Sequence, residues 1–309
     1  MSRLEELLQQ QKEIAVAIEV EVAKGRAAAA LGEAVAQFNL GLMFEKGQGV
    51  AQSYREAKSC YKQAADQGSA PAQYSLGVLF EKGLGEDEDF AQALHWYRLA
   101  ADQGLAPAQC ALGALFEDGR GTKQDFSEAM RFYKLAAAQN HADAKYHLGA
   151  MYESHHGVEQ DYQVAASWYK LAAALGHSAS QCCLARIYEN GLGVKRDYAE
   201  AMRWYRLAAA QVDANAQCKI GFIYGNGKGV PSNYPEAMRW YKLAAEQGNA
   251  SALSNLGFMF DHGHGVDQDD ARALMYYNKA AKRGDVYASK NRDIIEARIA
   301  AHAARKVAG

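Results

Sequence analysis

No run of eighteen apolar residues occurs anywhere in the 309-residue sequence, so no stretch has the length and apolarity of a membrane-spanning helix. The opening, MSRLEELLQQQ, is polar and acidic where a secretory signal needs an apolar segment. With Met1 as the start, the expected location is cytoplasmic. An excess of charge of either sign is also missing. Lys and Arg number 34 against 36 Asp and Glu, a net −2, which gives no pull toward phosphate backbones or anionic lipid. Nucleic acid and membrane are therefore not expected partners.

Cysteine is scarce and odd in number, five in all. Cys110, Cys182 and Cys218 share one slot of the repeat described below and Cys183 its neighbour, while Cys60 stands where other units carry an aromatic residue. Scattered over apolar slots, they read as small buried hydrophobes and not as disulfides or metal ligands. Period-two alternation is absent, which removes strands. His155-His156 beside Glu153, and His262 and His264 beside Asp261, each offer two metal ligands without a spaced third and fourth. No motif sets a base beside a nucleophile, and no strand precedes the Gly-x-Gly loops, so a dinucleotide fingerprint is not met. The expectation is no catalytic residue, no cofactor and no metal.

What the sequence does contain is a strict period. Tyr61, Tyr97, Tyr133, Tyr169, Tyr205, Tyr241 and Tyr277 recur every 36 residues, and alanine pairs from Ala64-Ala65 to Ala280-Ala281 keep the same step. Each unit holds two helical patterns. The first buries positions such as Ala72, Leu76, Leu79 and Phe80, with a Gly beside the Leu in every unit except at Ala185. A Gly inside a helix costs stability, so a steady one signals that another helix crosses closely there. The second pattern opens at Ser53, Asp89, Asp125, Asp161, Asp197, Asn233 and Asp269, all good N-caps, mostly followed three residues on by Glu or Gln as in a capping box. Trp96, Trp168, Trp204 and Trp240 then read as core residues between units. The predicted fold class is all-α, an α/α superhelical solenoid of helix-turn-helix repeats with a period of 36 residues. Residues 1–32 form an N-terminal amphipathic helix for capping or oligomerisation through Leu4, Leu7, Ile14 and Ile18. Residues 33–284 hold seven repeats, and residues 285–309 a C-terminal capping helix and tail.

The Leu-Gly-x-x-Tyr start is shared with tetratricopeptide repeats, but those average about 34 residues. The longer unit, its Gly-x-Gly-Val loop and the D-Y-x-x-A-x-x-W-Y-x-x-A-A signature resemble Sel1-like repeats more closely, over about residues 33 to 290. Departures are local: His155 replaces the first loop Gly, Val212 the Gly at the unit's end, and Asp270 the aromatic after the cap. The resemblance implies a right-handed superhelix acting as an adaptor in protein complexes, without naming a partner.

A partner protein or peptide is expected on the concave face made by successive first helices. On a helical wheel the positions turned away from the packing face include Asn39, Leu42, Val78, His147, Arg186, Lys219, Phe222, Asn255 and Phe258, which vary between units while the packing positions repeat. Arg186 and Lys219 supply cations for an acidic group, Phe222 and Phe258 aromatic anchors, and Asn255 an amide for a peptide backbone. The alternative is a small-ligand receptor or hydrolase using the same groove.

Overall fold

The computed structural model describes the backbone of residues 3–308, and the side chains of these except 4–5, 8, 11–12, 14–19, 21 and 303–308. Among the described residues there are sixteen α-helices and no strands. α1 (Arg3–Ala30) is followed by α2 (Ala34–Lys46) and α3 (Tyr54–Asp66), α4 (Ala70–Glu81) and α5 (Phe90–Asp102), and α6 (Ala106–Asp118) and α7 (Phe126–Ala138). Next come α8 (Ala142–Ser154) and α9 (Tyr162–Ala174), α10 (Ser178–Asn190) and α11 (Tyr198–Ala210), and α12 (Ala214–Asn226) and α13 (Tyr234–Glu246). α14 (Ala250–His262), α15 (Asp270–Ala281) and α16 (Val286–Ala308) complete the chain. This is the all-α helical-repeat class that the 36-residue period predicts. The chain divides into two compact units, residues 1–151 with 156–158 and residues 152–155 with 159–309.

Within each unit the second helix of a repeat starts where the sequence puts its cap. The backbone N–H of Gln92 donates to Asp89 Oδ1 at 2.9 Å, that of Glu200 to Asp197 at 3.0 Å, and that of Glu236 to Asn233 at 3.0 Å. The reciprocal half of the capping box is replaced. Each cap N–H instead donates to the carbonyl of an aromatic residue in the preceding helix, as Asp89 does to Phe80 and Asp197 to Tyr188, both at 2.9 Å. That bond ties the loop back on its own hairpin and leaves the third-position glutamate available. Glu200 and Glu236 then accept the indole N–H of Trp204 and Trp240 at 2.9 and 2.8 Å.

The glycine beside the leucine marks a close helix crossing, as the propensity argument requires. A Cβ at Gly41, Gly113 or Gly257 would come within 2.6, 2.8 and 2.7 Å of the ring of Tyr61, Tyr133 and Tyr277, and one at Gly77 closer still to Tyr97. Those tyrosines are buried, as are Ala64, Ala100, Ala208 and Ala244, whose small side chains let the helices approach. Trp96 and Trp204 are buried, and Trp168 and Trp240 half-buried.

A feature that the sequence reading missed joins successive repeats. Gln73, 5% exposed, donates to the Ala65 carbonyl at 3.2 Å and accepts from Gln103 Nε2 at 2.8 Å; Gln109 and Gln139, and Gln217 and Gln247, pair the same way at 2.9 and 2.8 Å. Buried amides satisfied in this way fix register, because a slip would strand them.

At the ends, α1 rests on α2 with Val22 and Ala29 buried, Ala29 joining Leu40 and Cys60. Of the stripe expected on α1, Leu7 is exposed, and the side chains of Leu4, Ile14 and Ile18 lie outside the described residues. α16 packs on α15 through Ala288 and Ile295, both buried, while Arg292 and Asp293 pair with each other at 2.7 Å.

Among the described residues three that are not glycine have left-handed backbone: Asn140, His155 and Val212, with φ of 62°, 62° and 64°. The last two are the departures seen in the sequence, so the turn keeps its geometry whatever residue occupies it. Asn tolerates this region, whereas a β-branched side chain is strained there. Val212→Gly should therefore raise stability by about 1 kcal/mol, since Val212 is 63% exposed and gives up little burial; a thermal melt at or below that of the parent would refute the strain. Conversely, Gly77→Val should cost about 2–3 kcal/mol by overpacking against Tyr97. Ala185→Gly, at the one repeat already carrying a Cβ there, should cost only about 1 kcal/mol in helix propensity. Equal melts for these two variants would mean the close approach is not limiting.

Candidate functional site

The last turn of the first helix carries a carboxylate in most repeats: Glu45, Glu81, Glu117, Glu153, Glu189 and Asp261. Placed at the negative end of the helix dipole and mostly shielded from water, such a group needs partners. The repeat's own tyrosine is the first. The hydroxyls of Tyr61, Tyr97, Tyr133, Tyr169 and Tyr205 donate to Glu45, Glu81, Glu117, Glu153 and Glu189 over 2.5 to 2.9 Å. A cationic or imidazole group from the following repeat, or from α16, is the second. Arg120 lies 3.8 Å from Glu81, His147 and His156 lie 3.5 and 3.4 Å from Glu117, and Arg186 bonds Glu153. Lys219 and Lys228 lie 3.6 and 3.9 Å from Glu189, and Arg298 reaches Asp261 at 2.5 Å. Burial alone would raise the Glu117 carboxyl, but the hydrogen bonds from His147, Tyr133 and His156 together outweigh it and hold the group at about 2.

The repeat of α12 and α13 departs from this pattern. Gly225 stands at the acidic position, and a pocket of about 340 Å³ opens beside it, lined by Phe222, Tyr234, Tyr241, Asn255, Phe258 and His264 among others. The Tyr241 hydroxyl lies 3.9 Å from where a Cβ on Gly225 would stand and makes no hydrogen bond among the described residues. Asn255 has only a 4.0 Å contact from Nδ2 to Cys218 Sγ. His264 stacks on Tyr234 with ring centroids 4.8 Å apart.

The model of the Sel1 repeat family matches residues 34–69, 70–105, 106–141, 142–177, 178–213, 214–249 and 250–285 in unbroken succession. The chain belongs to the Sel1-repeat family. A solved relative, a protective antigen of uropathogenic Escherichia coli strains displaying an SLR fold, is 32% identical with a TM-score of 0.77, over 96% of this chain and 68% of that one. A Sel1 repeat protein from Oxalobacter formigenes is 35% identical with a TM-score of 0.71, over 89% of this chain and 80% of that one. Yeast Tom70, 15% identical with a TM-score of 0.50 over 95% of this chain and 59% of its own, shares the fold alone. No curated protein matches. Sel1 repeats are generally non-catalytic scaffolds that bind proteins. Among the described residues no helix is long and apolar enough to cross a membrane.

Numbered by these Sel1 repeats, the residues singled out from the sequence fall into three groups. Phe222, Asn255 and Phe258 meet at the pocket of repeats six and seven, with Lys219 at its edge, 5.8 Å from the Phe222 ring. His147, Arg186 and Lys219 are the internal partners of Glu117, Glu153 and Glu189, so their charges are already engaged. Asn39, exposed, and Leu42 and Val78, half-buried, belong to the first unit and are not part of the pocket; Leu42 packs toward the Tyr61 cluster. Tyr241 and His264 were missed. Their signal lay in the acidic slot they serve in other repeats, which breaks at Gly225.

The histidine pairs are held by other contacts. His155 Nδ1 accepts the Gln160 N–H at 3.1 Å, and His262 stacks on Phe258 at 4.1 Å. Among the described residues no three His, Cys, Asp or Glu are grouped to hold a metal ion. Cys60, Cys110 and Cys218 are buried and Cys182 and Cys183 half-buried, none in a disulfide. Burial pushes the thiol of Cys110 up to about 12 and that of Cys218 up to about 11, which makes both poor nucleophiles.

Because the folded protein holds Glu117 below its ordinary value, the bonds at this carboxylate stabilise fully at neutral pH and are lost as pH falls from about 4.5 to about 2. Glu117→Gln should therefore be less stable than the parent at pH 7, and the gap should close over that acidic window. A gap independent of pH would show that the charge is not what the three donors hold.

Proposed function

We propose that this Sel1-repeat chain is a non-enzymatic scaffold that binds a partner protein or peptide in the cytoplasm, and that repeats six and seven hold its contact site. One observation carries the reading. Phe258 stands 41% exposed on a first helix, between the 340 Å³ pocket and a second cleft of about 280 Å³ lined by Ser251, Ser254, Asn255, Tyr287 and Asn291. An aromatic ridge flanked by two depressions with polar groups on either side suits an extended segment that straddles the ring. Five cysteines without a disulfide fit a reducing compartment.

A second reading has one observation in its favour. The larger pocket alone falls near the lower limit of small-ligand sites, roughly 300–1,000 Å³, and is walled by aromatic residues. A small ligand would use that pocket and leave the cleft beyond Phe258 empty.

Affinity capture from the source cell followed by mass spectrometry identifies the partner, and three variants then test the site. Phe258→Ala and Phe222→Ala should weaken binding about tenfold or more, as truncation of an aromatic anchor does. Arg239→Ala, on the exposed face of α13 and paired only locally with Glu236 at 3.6 Å, should bind like the parent. If the two phenylalanine variants stay folded and also bind like the parent, the contact site lies elsewhere.

A further inference from the structure

At repeats six and seven the donors of a carboxylate site are all present and the repeat's own carboxylate is not. In repeat five Glu189 is held by Tyr205, Lys219 and Lys228. One repeat further on, the same three slots hold Tyr241, Asn255 and His264, and all three line the pocket beside Gly225. Repeat three fills two of these slots with His147 and His156 around Glu117, so imidazole is a working donor there. Tyr241 is 4% exposed, and its hydroxyl makes no hydrogen bond among the described residues. A Cβ added at Gly225 would lie 3.9 Å from that hydroxyl and 3.6 Å from the Ala237 methyl, so the space is open to an incoming group.

We infer that this pocket receives the side-chain carboxylate of a glutamate presented by the partner polypeptide, with an aliphatic neighbour of that glutamate seated against Phe222 and Phe258. The inference rests on the peptide-binding reading above and adds the chemistry of what is bound. Tyr241, the Asn255 amide and one imidazole nitrogen of His264 supply donors to a carboxylate, and Phe222, Phe258 and Met259 supply apolar wall. Cations stand on the Phe222 side of the pocket: Lys219 and Lys228 share the single carboxylate of Glu189, and Lys228 Nζ sits 4.5 Å from the Phe222 ring. On α14, Asp261 shares the Arg298 guanidinium with Asp270. In five repeats the group that the chain itself supplies to the equivalent tyrosine hydroxyl is a glutamate side chain.

The test is selection of a phage-displayed random peptide library on the full chain, followed by binding of the selected peptides, synthesised with amidated C-termini, to two variants. Gly225→Glu supplies the pocket with its own carboxylate, and Tyr241→Phe removes only the waiting hydroxyl. Enrichment of peptides with a glutamate beside an aliphatic residue is expected. Their binding should fall about tenfold or more with Gly225→Glu, with Tyr241→Phe, and when the peptide glutamate is changed to glutamine, the range for a hydrogen bond to a charged group. Circular dichroism and a thermal melt check that the variants fold; if Gly225→Glu does not, Tyr241→Phe decides alone. Peptides that carry no acidic position, bind both variants undiminished, or need a free C-terminus overturn this inference and leave the scaffold reading standing. No enrichment on the parent chain overturns both.

Discussion

A tyrosine ring pressed against the backbone of the neighbouring helix, at a glycine in every repeat but that of Ala185, governs the hairpins of this protein. The contact requires the first helix to lack a side chain at Gly41, Gly77, Gly113, Gly221 or Gly257, since a Cβ there would enter the ring. It also fixes where the hydroxyl goes. One helical turn beyond that glycine, on the same face, stands the residue the hydroxyl meets: Glu45 beyond Gly41, Glu81 beyond Gly77, Glu117 beyond Gly113. Packing and polar satisfaction are therefore one constraint. The ring sets the distance between the helices, and its hydroxyl then requires an acceptor at the next turn. That acceptor, a carboxylate at the negative end of a helix, requires a cation or imidazole from the following repeat where one is supplied. The buried glutamine pairs add a second polar tie between neighbours, so register is specified twice over.

The hairpins were legible in the sequence because what defines them is local and periodic. The caps at Asp89, Asp125 and Asp197 lie within a few residues of what they control, and 36-residue repetition confirms them, the Gly beside the Leu and the alanine pairs against themselves. The polar network was not legible for the opposite reason. Glu189 meets Tyr205 on the neighbouring helix and Lys219 and Lys228 from the following repeat, and no helical wheel drawn on one element brings these together. The same limit turned Arg186 and Lys219 into candidate free cations, when each lies against an acid from the repeat before it. Phe222, Asn255 and Phe258 all project from first helices, and the three line a single pocket.

Departures from the repeat pattern divide by what the fold can absorb. At Val212 and His155 the substituted residue adopts the left-handed backbone of the glycine it replaces, because the hydrogen bonds on either side of the turn outweigh a local strain of about 1–2 kcal/mol. Lys145 stands in the slot of the buried glutamines and, 6% exposed, places its ammonium 2.7 Å from Asn140 Oδ1, a local partner in place of the amide of the ladder. In both cases the backbone stays and the chemistry adapts around it.

Gly225 is a departure of another kind, since nothing adapts to it. Tyr241 still crosses Gly221, where an added Cβ would meet its ring at 2.8 Å, so its hydroxyl is still delivered to the acidic position. Elsewhere an orphaned hydroxyl in a core would cost about 1–3 kcal/mol. Here the missing side chain itself opens the pocket, and water can reach the group that lost its acceptor. The loss is therefore small for folding, while the Tyr241 hydroxyl stays held at this point by a packing contact that has not changed. A regular scaffold can acquire a preorganised polar site in this way by deleting one internal ligand, with the neighbouring repeats holding the remaining groups in place.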